Sequence, residues 1–136
     1  MTAVDESNAS RRVALAFLSA YWRADLAGVL QLCSDDAMIE LPQSIDIATP
    51  ATMRSVLPGI FGEVYKRFVG AKFDINVERT LAEGDAVLVE YRATGDLTSG
   101  RRFDCRYAVV LQVKEERVAV FRQYTDTQYI AAELRI

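Results

Sequence analysis

Histidine is missing from all 136 residues, and cysteine appears only twice. Without imidazole there is no Ser-His-Asp or Cys-His nucleophile system. Cys33 and Cys105 are far apart and form neither a CxxC pair nor a metal-ligand spacing. Two distant thiols without imidazole are a poor zinc site, so no metal and no cofactor is expected. Both read as buried free thiols, which behave as small hydrophobes. A basic block is also lacking. The 16 Lys and Arg are scattered among 19 Asp and Glu, for a net charge of −3 and a pI near 5.0. Phosphate binding needs clustered cations, so nucleic acid is not an expected partner, and neither is a membrane surface. No apolar run approaches the roughly 20 residues that span a bilayer. The first six residues, Met-Thr-Ala-Val-Asp-Glu, lack the basic and apolar parts of a signal peptide. The expected location is the cytoplasm.

What is present is an ordinary globular mixture, 51% apolar and 26% charged, of a length that suits one domain over residues 1–136. A helix is expected over residues 8–24, where Val13, Ala14, Phe17, Leu18 and Tyr21 recur at helical spacing. Asp25 caps a short second helix. Ser34-Asp35-Asp36 reads as a turn before a strand over 37–41, which Pro42 ends. Thr49-Pro50 reads as a helix start, and Pro58-Gly59 as a point that kinks or splits that helix. From residue 71 the period changes to alternation. Strands are expected from about residue 71, then over 86–95, 101–113 and 117–125, joined by short turns that make the meander antiparallel. Asp126 can cap a last helix with Tyr129, Ile130 and Leu134. Early helices must cover one face of the sheet, giving an α+β architecture. A long twisted sheet curls, and helices across its concave side leave a cone-shaped hollow suited to a small apolar molecule.

The segment Leu26–Pro42, ending Ser34-Asp35-Asp36-Ala37-Met38-Ile39-Glu40-Leu41-Pro42, resembles the join between second helix and first strand in the NTF2-like superfamily. The last strand, Val120-Phe121-Arg122-Gln123-Tyr124-Thr125-Asp126-Thr127, resembles the RxYxD ending of its SnoaL-like branch. The likeness covers about residues 11–134. It implies an NTF2-like cone and a small-molecule pocket. It also brings in the chemistry of polyketide cyclases, ketosteroid isomerase and limonene epoxide hydrolase. Carried over residue by residue, the catalytic patterns fail. Leu41 stands where ketosteroid isomerases have a general-base Asp, and Phe17 about where they have a Tyr. For limonene epoxide hydrolase, Gln123 stands at the last-strand Asp, Glu90 at the Arg and Arg92 at the other Asp. Ile39 and Leu41 replace its Tyr and Asn. Polyketide cyclases need a pocket carboxylate, and Gln123 cannot titrate.

Regular turns in the meander would set Glu90 opposite Tyr107, Arg92 opposite Cys105, and Tyr107 opposite Gln123. Glu90, Tyr107 and Gln123 would then form one row, with Arg92, Cys105 and Thr125 in the next and Leu88, Val109 and Phe121 behind. On that register Glu90 and Arg92 are the catalytic candidates, as a base and its cation inside an apolar cone. Tyr21, Tyr107, Gln123, Cys105 and Phe121 are the ligand-binding candidates. The plain alternative for Glu90 and Arg92 is a solvated face with a weak surface ion pair. Cys105 reads more readily as core, Tyr21 as packing with one hydrogen bond, and Asp126 as a helix cap. Three functions remain open: a cofactor-free cyclase, isomerase or hydrolase, a binding module for a small apolar or carbonyl-containing ligand, and an assembly domain. The opposite, convex face would carry Val89, Tyr91, Val110, Val118, Val120 and Tyr124 among Arg106, Arg122 and Asp126. Such a surface suits a homodimer.

Overall fold

The computed structural model describes residues 2–45 and 47–135. Helix α1 spans Ala3–Trp22, five residues longer at its start than its apolar stripe suggests, because Thr2 and Asp5 close a capping box. Asp25 caps α2 (Leu26–Leu32), accepting from the Gly28 amide at 3.0 Å. Strand β1 then runs over Cys33–Glu40. Ser34-Asp35-Asp36 is therefore not a turn. It is the irregular part of a strand, where pairing with the last strand shifts between Cys33 and Met38.

Thr49-Pro50 does not start a helix. Its peptide bond is cis, and a two-residue strand β2 (Ala51–Thr52) follows, paired with β1. Helix α3 (Met53–Glu63) starts after Thr52 and runs through Pro58 without a break. The proline costs one intrahelical hydrogen bond, and the buried Met53, Leu57 and Ile60 hold the helix to the core on either side of it. Two 3₁₀ turns, Tyr65–Arg67 and Val69–Ala71, lead into the meander.

The meander is β3 (Asp74–Glu83), β4 (Ala86–Asp96), β5 (Arg102–Lys114) and β6 (Arg117–Thr125), followed by α4 (Thr127–Leu134) under an Asp126 cap. The six strands order β2-β1-β6-β5-β4-β3, all antiparallel except β1 against β6. Irregularities between Val77 and Arg79 and between Gln112 and Val113 interrupt otherwise even ladders. Such bulges bend and twist a sheet. Helix α1 crosses the inner face against β3 to β6. Between them lies the core, with Phe17, Tyr91, Phe103 and Phe121 among its largest fully buried side chains. Burying each contributes roughly 1.5–3 kcal/mol. Gly95 permits the 3₁₀ segment to pass close over the sheet, since a Cβ there would sit 2.9 Å from the Phe68 ring and 3.1 Å from the Lys72 carbonyl. The whole is α+β with helices on one face of the sheet.

Candidate functional site

The β4–β5 register decides which side chains face the helices. Asp96 pairs with Arg102, leaving a five-residue loop, 97–101, closed by Leu97 N–H to Arg101 O (2.9 Å) and Gly100 N–H to Leu97 O (2.9 Å). Regular four-residue closure would have set Glu90 against Tyr107. The extra residue sets Glu90 against Ala108, Tyr91 against Tyr107 and Arg92 against Arg106. A one-residue slip turns every side chain to the other face. Glu90 and Arg92 therefore lie on the outer face, Glu90 on an open groove that Tyr107 also borders, and neither lines the inner hollow with Tyr107 and Gln123, so the expectation of one internal cavity shared by all four is corrected. Glu90 pairs with Arg79 at 3.5 Å, and Arg92 with Asp104 at 3.1 Å, all four side chains substantially exposed. Val89 and Tyr91, expected outside, are fully buried inside, and so is Val118. Leu88, expected inside, lies outside against Val110.

In the β5–β6 hairpin the tight turn, with Lys114 against Arg117, and the bulge each shift the ladder by one residue. Tyr107 meets Thr125 and Val109 meets Gln123, which leaves the side chains from Val120 onward on their expected faces, while Val118, before the bulge, turns inward. Tyr107 and Gln123 thus remain diagonal neighbours on the inner wall. Tyr21 reaches the same place from α1. These three line one small hollow, with Trp22 and Tyr65 at its aromatic side and Ile130 and Leu134 of α4 across its end. Its volume is about 50 Å3. Phe121 is buried behind it, against Phe17 (ring centroids 5.0 Å) and Tyr21 (5.2 Å). Cys105 is also buried on the inner face, with Sγ 3.2 Å from Thr125 Oγ1. Burial pushes its thiol up, which makes it a poor nucleophile. Burial pushes Cys33 up to about 12.

The polar groups around the hollow fall into two sets. Trp22 Nε1 donates to Tyr91 Oη at 2.9 Å, and Tyr65 Oη donates to the Tyr21 carbonyl at 2.7 Å. Tyr91 stacks on Tyr107, with centroids 5.1 Å apart and planes 5° from parallel. These bonds fix the wall. None of them engages the Tyr21 hydroxyl, the Tyr107 hydroxyl or the Gln123 amide. Tyr107 has the weak Cys105 thiol beside it. Tyr21, Tyr107 and Gln123 are 4%, 6% and 8% exposed. Buried polar groups of this kind normally have partners. Desolvation holds the Tyr21 and Tyr107 phenols well above their ordinary range, so both are neutral donors in any physiological medium. No carboxylate lines the hollow among the described residues.

Trp22, Tyr65, Ile130 and Leu134 were not among the sequence candidates. Trp22 continues the α1 stripe four residues after Leu18, and Ile130 and Leu134 repeat the same spacing on α4, which is the signal that marks them. Beside the hollow lies a shallower apolar cleft of about 500 Å3 along α3, sharing Ile45, Ile47, Ile60 and Val64 with it. Among the described residues no cluster of His, Cys, Asp and Glu could hold a metal ion, and no helix is long and apolar enough to cross a membrane.

No curated protein matches the chain in sequence. Solved structures resemble it over nearly its full length. An NTF2-like protein of unknown function from Burkholderia pseudomallei matches with a TM-score of 0.80 at 15% identity, over 94% of this chain and 98% of that one. Bal32a, from a soil-derived mobile gene cassette, matches with a TM-score of 0.74 at 22% identity, over 91% and 94%. TerC, co-crystallised with polyporic acid, matches with a TM-score of 0.80 at 11% identity, over 94% and 99%. At these identities the likeness is one of fold. The SnoaL-like domain family matches residues 14–121, from the middle of α1 to the centre of β6, and the chain belongs to that family.

Proposed function

We propose that this chain binds a small, flat, neutral molecule that carries a carbonyl or hydroxyl oxygen, in the hollow between α1, α4 and the inner sheet face. One observation carries the reading. Tyr21, Tyr107 and Gln123 converge there, each more than nine-tenths buried; the Tyr107 hydroxyl meets only the weak Cys105 thiol, and no bond within the described wall engages the Tyr21 hydroxyl or the Gln123 amide. Two phenols and an amide offer donors to an oxygen, and the aromatic rings around them offer edges and faces to a flat body. The wall carries no charge among the described residues, which favours a neutral ligand over an ion. Polyporic acid in TerC is a bound small molecule on a similar scaffold. The reading asks nothing of Glu90 and Arg92. Any turnover here would rest on donors that hold an oxygen as charge grows on it.

The competing account is ordered water. A hollow of about 50 Å3 has room for about one or two waters, which could satisfy the same three groups. The two accounts part on 9-fluorenone and fluorene, which differ by one carbonyl. Trp22 is the single tryptophan and lies 5.2 Å from the Tyr107 ring, so its fluorescence reports occupancy. Fluorenone should quench it at lower concentration than fluorene. Gln123→Leu and Tyr107→Phe should each weaken fluorenone about tenfold and leave fluorene unchanged. Equal affinity for both compounds, or none for either, would sink the proposal.

A second proposal is a homodimer through the outer sheet face. Leu81 and Tyr124 are 58% and 55% exposed there. The Arg79–Glu90, Arg106–Glu78 and Arg122–Glu40 pairs (3.5, 3.2 and 3.0 Å) leave that part of the face balanced in charge. A two-fold axis can repeat such a patch against itself without like-charge conflict. Sedimentation at micromolar concentration should give twice the 15.2 kDa chain mass. Tyr124→Glu should return it to one copy. A monomer at that concentration refutes the dimer, and a Tyr124→Glu variant that stays dimeric places the contact elsewhere.

A further inference from the structure

The hollow has a mismatch of scale. Small-molecule pockets usually enclose roughly 300–1,000 Å3, and this one encloses about 50 Å3. The polar groups that call for a ligand are in place, but the room is not. Half of the wall sits on fixed elements, and Leu41, Ile45 and Ile47 come from the segment after β1. Tyr21 and Trp22 belong to α1 in the middle of the core, and Tyr107 and Gln123 to the two central strands β5 and β6. Ile60 on α3 and Val64 at its C-terminal cap follow Met53 and Leu57, which are fully buried.

Helix α4 is different. It has eight residues, and helices shorter than about 12 residues are marginal in water without packing. Ile130 and Leu134, each 4% exposed, point into the hollow. Tyr129 Oη accepts from the Asp104 amide at 2.9 Å. Glu133 forms a two-pronged pair with Arg101 in the β4–β5 loop, Nε to Oε2 at 2.8 Å and Nη2 to Oε1 at 2.7 Å. The Glu133 side chain is 9% exposed, against 67% for Arg101. A two-pronged guanidinium–carboxylate pair is the strongest of the common surface ties.

We infer that α4 is a displaceable plug: Ile130 and Leu134 fill the space a ligand would take, and the Arg101–Glu133 pair is the latch that sets how often the helix lifts. The inference rests on the binding reading above and adds how the site opens and which residues set its size. A ligand that needs the open form associates at a rate scaled by the fraction open. Weakening the latch raises that fraction without touching a group that contacts the ligand.

Stopped-flow quenching of Trp22 by 9-fluorenone, together with amide hydrogen exchange, tests this on the full chain. Glu133→Gln should associate about fivefold faster than the parent. Its α4 amides should exchange faster while those of β5 stay unchanged. Arg101→Gln removes the latch from its exposed side and should do the same. The charge swap Arg101→Glu with Glu133→Arg should bring the rate back to within about twofold of the parent. Faster exchange in α4 with an unchanged association rate would overturn the plug and leave the binding reading standing. No quenching in the parent or in any variant would overturn both.

Discussion

The same strands present two unlike surfaces. Along β4 the odd-numbered residues Val87, Val89, Tyr91 and Ala93 face the helices, all fully buried. The even-numbered Leu88, Glu90, Arg92 and Thr94 face out and are half-buried. On the outside, Arg79–Glu90, Arg92–Asp104, Arg106–Glu78 and Arg122–Glu40 pair opposite charges within 4.0 Å, exposed enough for water to screen them. On the inside, the polar groups are phenols, an indole and an amide, and only some of them have partners. The outer chemistry is charged, paired and largely wet, with Arg92 Nε without a hydrogen bond. The inner chemistry is neutral, part-satisfied and dry, and there a hydrogen bond left unmade costs most. Recognition of a small molecule belongs to the second surface, and pairing with another chain to the first.

The largest effect expected from this contrast is alkaline unfolding. Tyr21, Tyr65, Tyr91 and Tyr107 are buried, and desolvation raises each of their pKa values in the folded chain. An unfolded tyrosine ionises near pH 10. Below that pH both states keep the proton, and stability does not depend on these groups. Above it the unfolded state loses protons that the folded state keeps, so stability falls as pH rises. Each tyrosine contributes about 1.4 kcal/mol per pH unit, and the four together about 5.5 kcal/mol per unit. Urea unfolding measured from pH 8 to pH 11 should be flat to about pH 9.5 and then drop steeply. A stability that stays level to pH 11 would mean the inner face is wetter than its burial indicates.

The sequence reading reached most of this architecture, and the exceptions share a cause. The α1 stripe, the Asp25 and Asp126 caps, and β6 with both its ends follow from local chemistry. Tyr21, Tyr107 and Gln123 were legible as one group because α1 periodicity and strand alternation fix their faces, and a two-residue shift in β6 leaves faces unchanged. Glu90 and Arg92 were misplaced because their face was deduced from the length of the 97–101 turn, and that turn holds one more residue than a regular closure. Alternation within β4 carried the better signal. Val87, Val89, Tyr91 and Ala93 form an uncharged row, and a charged row beside it belongs in water. The start of α3 was misread for a similar reason. Thr49-Pro50 has the composition of a helix start, but pairing of Ala51–Thr52 with β1 displaces the helix to Met53. Long-range pairing decided both cases, and no local window contains it.

The sharpest test of the two-face contrast uses two adjacent residues, Tyr91 and Glu90. Tyr91 is fully buried, stacks on Tyr107 and accepts from Trp22 Nε1. Tyr91→Ala opens a cavity and strands the indole donor, and should cost about 3–5 kcal/mol in urea unfolding. Glu90→Ala, one residue away, removes an exposed partner of Arg79 and should cost about 0.5 kcal/mol or less. It should also leave 9-fluorenone quenching of Trp22 unchanged, because the sheet lies between Glu90 and the hollow. A Glu90→Ala variant of parental stability that loses fluorenone binding would put the carboxylate back in the site, and would count against the register on which the whole inner surface has been drawn.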